Sequence, residues 1–136
     1  MQWNKRTKWA CALAATSLYF SVALGLKYSY VPPGIPPSEK IALRRPFFKV
    51  EKFAFVATTP ELSASADSLR DNGRSHILLY EDERLLGPAH TTPHAEIARM
   101  GRGRFSHWDD IIVFSASDNT DANANSRTYW AVLPKN

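Results

Sequence analysis

The chain has 136 residues, room for one small domain, and a formal charge of +4. Three of its seventeen basic residues, Lys5, Arg6 and Lys8, fall in the first eight positions, where there is no acid. From Lys27 onward the charges nearly balance, so the folded part lacks the basic stripe of a nucleic-acid-binding protein, and no nucleic-acid partner is expected.

Residues 1–8 read as a basic leader. Residues 9–26, WACALAATSLYFSVALGL, carry no charge. As a helix this run spans about 27 Å, close to the roughly 30 Å of a bilayer's hydrocarbon core. Trp9 at one end and Lys27, Tyr28 and Tyr30 at the other are residue types that settle at headgroups. The sequence therefore predicts a single-pass signal anchor in the inner (cell) membrane. The positive-inside bias puts the N-terminus in the cytoplasm and the C-terminal part in the periplasm. The alternative is a cleaved signal peptide, with Ala23-Leu24-Gly25 offering small residues at the two positions the peptidase inspects, which would release a secreted protein. The apolar run is longer than the usual signal-peptide core of about 7–15 residues, which favours the anchor. Cys11, the one cysteine, lies inside this run, so no disulfide forms within a chain. That suits a bacterial envelope protein and excludes a disulfide-rich secreted scaffold.

Residues 27–45 read as a Pro-rich linker, since YVPPGIPPSEK (30–40) has four prolines and favours a stiff, extended spacer. Residues 46–136 are expected to form the extracytoplasmic, β-rich domain. FFKVEKFAFVATT (47–59) reads as a strand from its aromatic and β-branched residues. PELSASADSLRDNGR (60–74) suggests a helical turn and then a turn at Asp71-Asn72-Gly73. SHILLY, the charged tip EDER and LLG predict a hairpin over 75–87. PHAEIARMG (93–101) predicts the one short helix, with Pro93 in its first turn, Glu96 at its positive end and Gly101 as C-cap. RFSHW, DIIVFSAS and RTYWAVL then read as three strands. The fold class is an N-terminal transmembrane helix followed by a small mainly-β (α+β) domain, an antiparallel sheet or sandwich with one short helix.

ILLYEDERLLGPAHTTPHAEIARMGRGRFSHWDDIIVFSASDNTDANANSRTY carries a further pattern. Leu85 to Pro88, His94, Gly103, Phe105 to Trp108, Phe114, Ser115, Ser117 to Asn119, Asp121, Asn125, Arg127 and Tyr129 match it. This resembles an uncharacterised module with the pattern FSHW … FSxSDNxD … R.Y, found in bacterial proteins linked to surface-polysaccharide synthesis or modification. The resemblance covers about fifty residues. It implies a kind of protein and no particular chemistry. Asp109 stands where the pattern has glycine, and Asp121-Ala122-Asn123-Ala124-Asn125-Ser126 replaces a turn containing Pro and Gly.

No catalytic residue, metal or cofactor is predicted. Asn119, Asp121, Asn123 and Asn125 alternate as in a calcium loop but lack the glycine at position six and the glutamate at twelve. Turn chemistry, in which Asx side chains bond their own backbone, accounts for them better. His90 and His94 are separated by Pro93, and there is no HExxH. Asp109 and Asp110 are neighbours and diverge if both lie in a strand. A binding role fits the composition better. Trp108, Tyr129 and Trp130 offer ring faces, and Asp118, Asn119, Asp121 and Arg127 offer paired polar groups of the kind that hold sugar hydroxyls. The candidate ligand-binding set is Trp108, Asp118, Asn119, Asp121, Arg127 and Tyr129. The alternative for the rings is burial in the core.

The expected function is a membrane-anchored, periplasm-facing accessory module of surface-polysaccharide assembly, a glycan-binding or scaffold domain. Its expected partners are the inner membrane through residues 9–26 and a polysaccharide or a polysaccharide-modifying enzyme. The alternative is a small envelope sugar hydrolase or transferase fragment using carboxylates from Asp109, Asp110, Asp118 or Asp121.

Overall fold

A computed structural model describes residues 16–25, 27, 39–91 and 93–134. The chain divides into two compact units, 1–34 and 35–136. In the first, residues 16–25 are helical and exposed on every side, with Leu18, Tyr19, Phe20, Val22 and Leu24 all open. Among the described residues no helix is long and apolar enough to cross a membrane. Residues 9–15 and 26 of the expected anchor, and 28–38 of the expected linker, lie outside the described residues.

The second unit is a small mainly-β domain of two antiparallel sheets and one short helix. Its strands are β1 (Glu39–Ala42), β2 (Phe48–Glu51), β3 (Ala54–Thr58), β4 (Leu78–Glu81), β5 (Arg84–Leu85), β6 (Phe105–Trp108), β7 (Ile111–Phe114) and β8 (Tyr129–Leu133). One sheet has the order β1-β8-β4-β5 and the other β2-β3-β7-β6. Alternation along each strand builds the core between them. Ile77 and Leu79, Tyr129 and Ala131, Phe55 and Ala57, Ile112 and Phe114, and Phe105 all turn into one buried cluster. Phe47, Phe114 and Tyr129 pack edge-on or tilted, with centroids 4.9 to 5.7 Å apart. The helix α1 (His94–Met100) covers the outer face of the second sheet, where Ile97 and Ala98 meet Ala54 and Val113. A 3₁₀ helix spans Pro60–Ser65, where the sequence suggests a helical turn.

Three expectations change. Residues 47–59 are two strands, β2 and β3, because Glu51 and Lys52 break the apolar run and the chain reverses at Lys52-Phe53. The stretch expected as linker also contains β1, whose Glu39–Ala42 pairs with Trp130–Leu133 of β8. Tail residues beside prolines read as spacer, yet a free edge of β8 supplies the partner.

Three hairpins close through two-residue turns whose first residue has positive φ: Lys52 (40°), Asp82 (53°) and Asp109 (50°). This corrects the strand reading of Asp110, which instead shares the β6–β7 turn with Asp109. It also explains why glycine fits position 109: only glycine enters that region without steric cost. The left-handed penalty of about 1 kcal/mol, less about 0.5 kcal/mol of extra glycine chain entropy, sets the net effect. Asp109→Gly should therefore stabilise the domain by about 0.5 kcal/mol and raise Tm by about 2–4 °C, read by thermal unfolding of the full chain.

Candidate binding surface

The polar run between β7 and β8 folds largely on itself. Asp118 takes Arg127 in a bidentate pair, Nη1 to Oδ1 at 2.9 Å and Nη2 to Oδ2 at 2.6 Å. Its Oδ1 also accepts the hydroxyl and N–H of Thr120. The Arg127 guanidinium and the Thr120 hydroxyl hold the Asp118 carboxyl far below the usual range. Asp118 in turn, with Glu81, pushes Arg127 further up. Asn119, with φ 64°, accepts the Arg102 N–H at 2.6 Å through Oδ1. Asp121 accepts the Asn123 N–H at 2.8 Å and pairs loosely with Lys49 at 3.5 Å. Asn123 acts as a short strand: it accepts the Phe47 N–H at 2.8 Å and donates to the Phe47 carbonyl at 2.9 Å. Arg45 donates to the carbonyls of Ala122 and Arg127.

The centre of this arrangement is a residue that sequence reading missed. Glu81 is 4% exposed. It follows Ile77, just before β4, and Leu79 on the strand's inward face, so its carboxylate ends the core beneath the turn. It accepts the Ser117 N–H at 3.2 Å, the Ser117 hydroxyl, the Tyr129 hydroxyl at 2.9 Å and Arg127 at 3.2 Å. Burial raises the Glu81 pKa, but these donors outweigh it and leave it below the ordinary value. Tyr129 is fully buried, and its hydroxyl also accepts from Asn125 at 2.7 Å. Burial pushes its phenol well up. Its ring is a core element and presents no face to a ligand. Trp108 is half-buried on β6 and, among the described residues, makes no hydrogen bond or ring contact with the run. The six predicted residues thus do not converge: Asp118 and Arg127 meet over Glu81 and Tyr129, Asn119 and Asp121 serve the turn, and Trp108 stands apart.

A second polar centre ties down the loop between the 3₁₀ helix and β4. Asp67, 2% exposed, accepts the N–H groups of Gly73 and Ser75 at 2.9 and 2.8 Å and pairs with His90 Nδ1 at 3.1 Å. Ser75 Oγ lies 2.8 Å from Nδ1 of His107, which is fully buried with no partner at Nε2. The serine is buried as well, so this pair is closed to any substrate. Among the described residues no group of three or more His, Cys, Asp or Glu is placed to hold a metal.

Among the described residues, two clefts stand open beside these centres. One, of about 390 Å³ beside α1, is apolar, with Val50, Val56, Ala98, Ile111 and Val113 in its lining. The other, of about 410 Å³, is lined by Lys40, Asp82, Glu83, Thr128 and Trp130 on the outer side of the first sheet. Here β8 sets Trp130 beside Tyr80, at 6.3 Å and 67°. The β4–β5 turn is clamped to β8 by Asp82 N–H to the Thr128 carbonyl at 2.7 Å and Thr128 N–H to Asp82 Oδ1 at 2.9 Å. Trp130 Nε1 donates to the Asp82 carbonyl at 2.6 Å. These bonds fix the indole's orientation and leave it half-exposed. Thr128 directly follows Arg127, so the cleft adjoins the polar turn along the chain. Lys40, Asp82 and Glu83 stood outside the sequence-predicted set because they join only through β1–β8 and β4–β8 pairing.

No family model, no curated protein and no solved structure matches the chain.

Proposed function

We propose that the chain is a membrane-anchored, periplasm-facing module that binds a surface glycan through the Trp130 cleft. The cleft carries this reading: a fixed, half-exposed indole shares about 410 Å³ with one ammonium, two carboxylates and a hydroxyl. A pyranose has an apolar C–H face that stacks on such a ring and hydroxyls that pair with carboxylates and ammonium groups. The anchor reading draws on the uncharged run 9–26 behind three basic residues, and on a helix at 16–25 whose apolar side chains face outward all round. The resemblance to a module of polysaccharide-linked proteins agrees with both. The carboxylates invoked for hydrolysis do not form a pair: Asp109 and Asp110 share an exposed turn, Asp118 is held by Arg127, and Asp121 serves its own turn.

The full chain in detergent, applied to an array of bacterial glycans, should bind a subset of them. Trp130→Ala should weaken that binding at least tenfold while near-UV circular dichroism stays native. Binding that survives Trp130→Ala unchanged would remove the cleft as the site. An alkaline phosphatase fused after residue 136 should be active in a bacterial host, and an inactive fusion would overturn the topology.

A further inference from the structure

We propose that the Trp130 cleft selects a glycan bearing a free ammonium group, such as a hexosamine whose nitrogen is not acylated. This rests on the glycan-binding reading above and names its ligand class. Lys40 places its ammonium 4.3 Å from the Trp130 ring centroid, so this indole already serves as a seat for an alkylammonium ion. Asp82 and Glu83 line the same cleft, yet neither is ion-paired with Lys40 or with any other cation among the described residues. One oxygen of Asp82 accepts the Thr128 N–H, which orients the carboxylate and leaves its other oxygen uncommitted. The Glu83 carboxylate accepts no hydrogen bond among the described residues. Two carboxylates and one ammonium give the cleft a charge of −1 (−2 + 1). A ring that attracts cations and two unpaired carboxylates favour a positive ligand. A sugar stacked on the indole would bring its ammonium to Asp82 and Glu83, or take the seat that Lys40 holds. An N-acetyl group removes the charge and loses this pairing. A uronic acid meets like charges.

The test titrates the full chain in detergent with a glucosamine tetrasaccharide, its fully N-acetylated counterpart and a uronic-acid tetrasaccharide. The expected order is amine, then acetylated, then acidic, with the amine at least tenfold tighter than the acetylated form and weakened by salt. Asp82→Asn with Glu83→Gln should abolish the preference. Asparagine still accepts the Thr128 N–H, so the turn keeps its clamp, and circular dichroism checks the fold. Lys40→Gln should tighten the amine by freeing the ring. Equal affinity for amine and acetylated sugars, or tighter binding of the acidic one, would overturn the inference. If such binding depended on Trp130, the broader reading would stand. Loss of all glycan binding in the array and in these titrations would remove both.

Discussion

Glu81→Ala should cost the β domain about 3–5 kcal/mol, the penalty for breaking a buried, charge-paired hydrogen-bond centre. A domain of this size holds only about 5–10 kcal/mol in all, so the variant should lose from about a third to all of its stability and show a markedly lower Tm. The reason is the number of donors that converge on one carboxylate. The Ser117 N–H and hydroxyl come from the start of the turn, and Arg127 and the Tyr129 hydroxyl come from its end. Removing the acceptor leaves the fully buried Tyr129 hydroxyl proton and the half-buried Ser117 N–H without an acceptor. Glu81→Gln keeps one acceptor oxygen but turns an amide NH₂ toward donors, and should cost about 1–3 kcal/mol. Asp118→Ala removes a solvent-screened ion pair and two exposed bonds from Thr120, with Asp118 43% exposed, and should cost under about 1 kcal/mol. Thermal unfolding of the three full-length variants checks the order. If Asp118→Ala proves as damaging as Glu81→Ala, the turn is held from its exposed side and Glu81 is not its centre.

The same comparison shows what the sequence carried and what it lacked. The strands after residue 75, the short helix and the polar turn all announced themselves by local pattern: alternation, a proline before His94 and a glycine after Met100. The partition of Trp108 and Tyr129 did not. Both are aromatic ends of strands, and only the pairing of β8 with β4 and β1 decides that Tyr129 faces Phe47 and Phe114 while Trp130 faces out. Glu81 did leave a signal. Ile77, Leu79 and Glu81 share one face at a period of two, so an acid in third place marks a buried carboxylate at the end of the core. His107 follows Phe105 in the same way. Asp67 left none, because it sits in an irregular segment and meets His107 only through a single bridge beside Trp108. The Asx run offered a real physical signal with two readings, ligand cradle or turn. In the structure Asn123 and Asn125 spend their amides on Phe47 and Tyr129, which is turn chemistry. Contacts this distant in sequence are set by sheet order, which no local pattern contains.

Acid should unfold the domain in two stages, the first from a histidine and the second from the two buried carboxylates. Burial pushes His107 below its ordinary 6.5; Asp67 pulls it back up and His90 adds to the lowering, with burial prevailing. Burial also lowers His94. The unfolded chain then binds protons near pH 6.5 that the folded chain refuses, so this stability is complete above about pH 6.5 and drains away below it. The slope is at most about 1.4 kcal/mol per pH unit for each histidine. For Asp67, burial raises the pKa, but the Ser75 N–H, His90 and the Gly73 N–H outweigh it and leave it below 3.8. Glu81 lies below 4.5 in the same way. Folded carboxyls with depressed pKa values add stability that is present above those ordinary values and lost as pH falls through the folded ones. Urea midpoints of the full chain between pH 7.5 and 3 should therefore fall twice. His107→Asn should flatten the first fall and spare the second, and His94→Gln separates the share of the half-buried helix residue. Asp67→Ala should cost about 2–4 kcal/mol already at pH 7, because the N–H groups of Gly73 and Ser75 and the His90 ring lose their common acceptor. It should also shallow the second fall. A wild-type midpoint that is flat from pH 7 to 5, or a His107→Asn variant with an unchanged slope there, would show that the buried imidazole takes up its proton as freely folded as unfolded.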